Sequence, residues 1–209
     1  MSFPSLLPAL LSLAALFGTP AQDPAPPAPS EGLYRVPYAD GTRVRVFDDT
    51  GSHRPRGRLD LVAEAAAPVG IVAAADGRVA ALQDGHGEQQ SGRAASECRN
   101  NYIWIAHPNG EWTLYSHMTQ GSTTGDAGLK VGDVVRQGQF LGFEGAVGCA
   151  MLAHLHFEVA VPAGRTPIDA GGFLTDNADG RRLREPRFCD LAGRVVKDEV
   201  LTAVTCRKD

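Results

Sequence analysis

Between Thr42 and Val161 the chain breaks into short apolar, β-branched or aromatic runs, and most of them end at a glycine-containing turn. Such runs suit strands and are too short for ordinary helices. Thr42–Phe47 alternates polar and apolar side chains, as a half-buried strand does. Gly70–Ala75 runs into Asp76-Gly77, a strong turn signal, and Arg78–Leu82 resumes the strand. Tyr102–Ala106 and Trp112–Ser116 flank Pro108-Asn109-Gly110 and read as a hairpin. Val134–Leu141 and His154–Val161 complete the series. With 24 glycines and 14 prolines in 209 residues, turns are plentiful. The expected fold is all-β: a compact antiparallel sandwich or barrel of short strands with little helix. Leu61–Ala67 is alanine-rich but short and reads as a loop or a single turn, while Val195–Val204 has room for one or two strands.

The N-terminus reads as an export signal. Leu6–Phe17 is apolar apart from Pro8 and Ser12, and Thr19-Pro20-Ala21 offers small residues for cleavage, although Met1–Ser5 carries no lysine or arginine. The apolar run is shorter than the roughly 20 residues a spanning helix needs, so stable membrane insertion is not expected. The expected organisation is a signal peptide over 1–21, a proline-rich linker over 22–32, a folded domain over 33–162 and a C-terminal extension over 163–209. Cys98, Cys149, Cys189 and Cys206 make an even count in an exported chain, which suggests two disulfides. Three connectivities are possible. The pairing Cys98–Cys149 with Cys189–Cys206 is favoured, because the first pair flanks the candidate site and the second is local to the tail, which it would brace. The expected location is therefore secreted or periplasmic. A net charge of −4 and scattered basic residues exclude the basic face of a nucleic-acid binder. Arg54, Arg56 and Arg58 form the single basic cluster and read as a solvated loop.

Six histidines are present, at 53, 86, 107, 117, 154 and 156. If His154-Leu155-His156 lies in a strand, both imidazoles share a face while Leu155 and Phe157 face the core. His117 ends the predicted strand Trp112–Ser116, and His53 precedes Asp60, whose neighbours Leu59, Leu61 and Val62 suggest that a strand carries the carboxylate. A carboxylate in apolar surroundings needs a partner. His86, between two glycines, reads as solvent-exposed. No His-Glu-x-x-His and no Gly-x-Ser-x-Gly occurs, which argues against a helix-based zinc protease and a serine hydrolase.

Taken in order, several segments resemble the lysostaphin-like, LytM-type M23 family of zinc metallopeptidases. They are His53 ahead of Asp60, then Ala67–Val79, Tyr102–Gly110, Tyr115-Ser116-His117-Met118, Val131–Gln139 and His154-Leu155-His156-Phe157-Glu158. The resemblance implies one zinc ion per chain held by His53, Asp60 and His156, with His117 and His154 as the two catalytic histidines. It gives His107 no metal to bind. It also implies hydrolysis of amide bonds in peptidoglycan stem peptides or Gly-rich cross-bridges, by a chain expected to be a monomer. His154 is expected to act as the base, and loops 84–100 and 118–130 as the walls of the substrate groove. In the commonest family pattern the first histidine stands four residues before the aspartate; here Arg56 holds that place and His53 lies seven before Asp60. A non-catalytic relative that binds wall peptides or activates another hydrolase is the alternative. A lipoyl- or biotin-type carrier domain, suggested by Gly128–Val135, needs an exposed lysine in a tight hairpin flanked by methionine, and none is present.

Overall fold

The structure, a computed structural model, describes residues 26–207 apart from 55, 95–96, 165–167 and 178–179. The expected signal, 1–21, and the first part of the expected linker lie outside the described residues. The described residues form twelve strands: β1 Pro29–Tyr34, β2 Arg43–Asp48, β3 Leu59–Ala63, β4 Gly70–Val72, β5 Gly77–Gln83, β6 Tyr102–Ala106, β7 Trp112–Ser116, β8 Val134–Val135, β9 Phe140–Phe143, β10 Leu155–Ala160, β11 Leu183–Phe188 and β12 Val200–Thr202. Helical segments among the described residues include a π-helical turn at Ser122–Asp126 and a 3-10 turn at Thr175–Asn177. The all-β expectation holds.

Ten strands form one sheet in the order β12-β2-β3-β10-β7-β6-β5-β8, with β11 beside β10 and β1 beside β11; β4 and β9 pair separately. Every pairing in the large sheet is antiparallel except β1 with β11. One edge of β10 is shared. Its first half pairs with β3 at Leu155–Phe157, and its second half pairs with β11 at Val159–Ala160. The reading of Leu61–Ala67 as loop holds for 64–67, whereas 61–63 belong to the strand Leu59–Ala63, which pairs with β2 and β10 on its two sides. The fold also begins earlier than Leu33 and reaches past Val161, since β1, β11 and β12 all join the sheet.

Alternation divides β10 cleanly. Leu155, Phe157 and Val159 enter the main apolar core with Leu59, Leu61, Ile103 and Tyr115. His156, Glu158 and Ala160 take the opposite face, where Trp104, Leu114, Leu174 and Leu183 form a smaller apolar cluster. The site therefore sits on a sheet face that is itself partly roofed, by residues 168–174. Gly172 fixes that roof: its carbonyl accepts the Trp104 indole N–H at 2.8 Å, and a Cβ there would meet Tyr102 at 2.5 Å. Both expected disulfides, Cys98–Cys149 and Cys189–Cys206, are present.

Candidate active site

His156 is central. In the register of β10 it stands opposite Asp60 of β3 on one side and Ser116 of β7 on the other. That register brings Asp60, 96 residues away in sequence, to within 2.9 Å of His156 Nδ1 through its Oδ1. His154 enters just ahead of the strand through a bridge to Gly145, and its Nε2 lies 3.5 Å from Asp60 Oδ1. His117 follows β7 with a φ of 66°, a left-handed conformation that side chains with a Cβ avoid. Its ring centroid lies 4.7 Å from that of His154 and 5.8 Å from that of His156. His53 comes from the β2–β3 loop, and its Nε2 stands 3.5 Å from Asp60 Oδ2. A cavity of about 140 Å³ opens above the cluster, lined among others by Phe47, Asp48, Cys149, Met151 and Leu152.

All five predicted residues thus converge. Ligand atoms of His53, Asp60 and His156 lie within 4.8 Å of one another. Two imidazole nitrogens and a carboxylate oxygen, spaced so, are a donor set that fits a divalent transition metal with an open position.

The hydrogen bonds distinguish the rings. Carbonyl oxygens only accept, so His117 Nδ1, 2.7 Å from the Val147 carbonyl, carries its proton, as does His154 Nδ1, 2.9 Å from the Leu152 carbonyl. In each neutral ring the lone pair is then on Nε2. His156 is turned the other way: Nε2 meets the Glu158 carboxylate at 2.9 Å and Nδ1 faces Asp60. Burial pushes the His117 imidazolium down to about 3, and the neighbouring His154 and His156 add to the effect. Burial alone would raise Asp60, yet the adjoining His154 and His156 rings hold its carboxyl far below the usual carboxylate range. Burial opposes charge on His156 too, but the Asp60 and Glu158 carboxylates outweigh it and raise its pKa.

Three partners were not foreseen. Glu158 is 1% exposed and takes an ion pair from Arg58 Nε at 2.7 Å while holding His156. Arg58 and Glu158 face each other in continuation of the Asp60–His156 register, and the Arg58 guanidinium stacks 4.5 Å over Phe173, which also edges His156 at 5.4 Å. Arg58 therefore corrects the solvated-loop reading, because its charge is turned into the sheet face, whereas Arg54 is exposed. A signal existed: His154, His156 and Glu158 are spaced by two in a strand whose alternate positions are apolar. His86 is half-buried rather than solvent-exposed, with its Nε2 3.2 Å from the Gln83 amide. His107 lies away from the cluster, its Nδ1 2.9 Å from the Asp76 carbonyl and its Nε2 2.9 Å from the Thr113 hydroxyl. Loops 84–100 and 118–130 both contribute to a groove lined by Gly87, Gln89, Thr119, Gln120, Ala146 and Val147.

The model of peptidase family M23 matches residues 55–170, more than half of the chain, and the chain belongs to that family. No curated protein matches it. Among solved structures, a zinc containing peptidase from Vibrio cholerae is 22% identical over 63% of this chain and 35% of its own, with a TM-score of 0.37, so this chain spans about a third of that protein's length. The catalytic domain of lysostaphin from Staphylococcus simulans is 22% identical over 63% of this chain and 82% of its own, with a TM-score of 0.37. The M23 metalloprotease pseudoalterin, of deep-sea origin, is 17% identical over 83% of this chain and 99% of its own, with a TM-score of 0.45. Among the described residues, no helix is long and apolar enough to cross a membrane.

Proposed function

We propose that the chain is an exported zinc endopeptidase that hydrolyses amide bonds in peptidoglycan stem peptides or cross-bridges. One observation carries the reading: two imidazoles and one carboxylate converge within 4.8 Å, beside two further imidazoles whose Nδ1 atoms are tied to carbonyls. His53, Asp60 and His156 would hold the metal. When bound there, zinc supplies Lewis acidity, polarising the scissile carbonyl and making water more acidic. His154, with its lone pair on Nε2 beside Asp60, takes the proton of the attacking water, and the nearby carboxylate stabilises the imidazolium that results. The same proton then passes to the leaving amine. His117 stays neutral at working pH, so its Nε2 accepts a hydrogen bond and orients the attacking water. His156 keeps its proton on Nε2, against Glu158, which leaves Nδ1 as the ligating atom. Family membership supports a wall-peptide substrate, and the groove between loops 84–100 and 118–130 offers an extended chain a place to lie.

The test is to purify the chain, measure bound zinc, and assay cleavage of peptidoglycan and oligoglycine with and without chelator. One zinc per chain and cleavage that chelator abolishes and zinc restores are expected. Zinc without cleavage would favour a wall-binding module, and neither would sink the metal site.

A further inference from the structure

His53 stands apart from the other proposed ligands. Asp60 is fixed by strand pairing on both sides, and His156 by its place in the middle of the sheet. His53 lies in the loop between β2 and β3, outside any strand, and the spacing to Asp60 is long. Ordering such a loop costs conformational entropy, and a ligand on it is held only as well as the loop is.

Several of the contacts that hold this loop come from the far end of the chain. The Thr50 hydroxyl, fully buried, donates to the Glu185 carboxylate of β11. Arg194 Nη2 donates to the same hydroxyl at 3.1 Å and to Glu185 at 3.4 Å. The Lys197 backbone N–H donates to the Asp49 carboxylate at 2.9 Å, while its ammonium meets Asp48 at 2.9 Å. Asp49 in turn caps the turn, accepting from the N–H groups of Gly51 and Ser52, and its carbonyl accepts the His53 N–H at 2.9 Å. The loop closes with the Gly57 N–H on the Thr50 carbonyl at 2.8 Å. Gly57 has a φ of 91° and lies so close to Leu183 that a Cβ would meet it at 2.8 Å. The family match begins at 55 and ends at 170, so both His53 and the segment that grips its loop fall outside it.

We propose that residues 183–197 act as a clamp that holds the His53 loop in its ligating position, with Glu185 and its partner Thr50 as the positioning residues. The clamp explains how a long His-to-Asp spacer is compatible with a three-ligand site, and it gives the C-terminal segment a task. It rests on reading His53 as a metal ligand. Neither Thr50 nor Glu185 borders the cavity, so both act through the loop rather than on substrate.

The experiment measures zinc affinity by competition with a chromophoric chelator, on the full chain, for wild type, Glu185→Ala, Glu185→Gln, Thr50→Val, His53→Ala and the double variant His53→Ala/Glu185→Ala. Glu185→Ala and Thr50→Val are each expected to weaken zinc about tenfold, in the range seen when groups supporting a ligand are removed. Glu185→Gln keeps an acceptor for the hydroxyl and recovers most of that loss. With His53 already gone, removing Glu185 costs nothing more, because the two act on one ligand. If Glu185→Ala proves unfolded by circular dichroism, Thr50→Val reads the same contact. Wild-type affinity in a folded Glu185→Ala or Thr50→Val would overturn the clamp, as would a full extra tenfold in the double variant. A wild-type chain that binds no zinc at all would overturn the metal site instead.

Discussion

The β6–β7 hairpin carries a histidine at each end, and their surroundings are opposite. His107 follows β6 at the turn end, with both ring nitrogens engaged by protein, one on the Asp76 carbonyl and one on the Thr113 hydroxyl. His117 follows β7 at the other end, has Nδ1 on the Val147 carbonyl, and lies beside His154 and His156 under an open cavity. Both are mostly buried, at 8% and 6% exposure, and burial depresses both imidazoliums. Burial and pKa direction therefore do not separate a structural histidine from one placed for chemistry. What separates them is whether the second nitrogen is already spoken for, and whether the backbone is strained to aim the ring, as it is at His117.

The comparison breaks most visibly in kinetics. His117→Ala and His154→Ala are each expected to lower kcat/KM on a wall peptide by about 10²–10⁴-fold, the usual contribution of a positioned proton-transfer group, while zinc content stays at wild type. His107→Gln is expected to leave kcat/KM within about twofold, since its ring reaches no reacting group. Equal losses at the two ends of the hairpin would show that the distinction drawn from the second nitrogen is wrong.

A smaller effect sharpens the other half of the site. Glu158 is to His156 what carbonyls are to His117 and His154, a partner that decides which nitrogen carries the proton. Glu158→Ala is expected to weaken zinc by about 10–100-fold in a chelator competition, with Arg58 left as a buried unpaired cation. His156→Ala removes the ligand itself and should lose both metal and turnover.

These partners were only partly legible in the sequence. The spacing by two of His154, His156 and Glu158 reads directly as one face of a strand, and Asp60 between Leu59 and Leu61 reads as a carboxylate on a buried strand. Which strand pairs with which is a property of register, so the facing of Arg58 and Glu158 could not be read without β3 and β10 being set side by side. The His53 loop was legible only through resemblance to a family. Its anchor, Glu185, is 135 residues from Thr50, and no local pattern links them. β1 and β11 were missed because Pro29 and Pro186 argue against strands; Pro29 is tolerated as the first residue of β1, and Pro186 lies past the residues of β11 that pair with β10 and beside a break in register with β1.

Stability should show the reverse of the kinetic pattern. His107→Ala removes the hydrogen bonds of the ring to the buried Thr113 hydroxyl and the Asp76 carbonyl and opens a void, which is expected to cost about 2–3 kcal/mol in denaturant unfolding. Zinc affinity should not change. A His107→Ala chain as stable as wild type would make the residue a bystander and remove the structural half of the comparison.

The smallest expected effect lies in the pH dependence of that stability. Burial lowers the His107 pKa in the folded chain below its ordinary 6.5, which the unfolded chain retains. The unfolded state then binds more protons in this window, so unfolding free energy rises with pH there. The contribution is fully present above about 6.5 and is lost as pH falls below it toward the folded-state value. His117 has the same sign, with a folded value near 3, whereas His156, raised by its carboxylates, has the opposite sign. A wild-type curve alone therefore mixes the three. The difference between wild type and His107→Gln isolates one of them, because the variant keeps the other two rings. With zinc-free protein, denaturant unfolding between about pH 5 and 7.5 should show the wild type losing more stability than His107→Gln on acidification. A difference that stays flat across this range would mean that His107 keeps an ordinary pKa despite its burial, and that its two hydrogen bonds hold a charged ring as well as a neutral one.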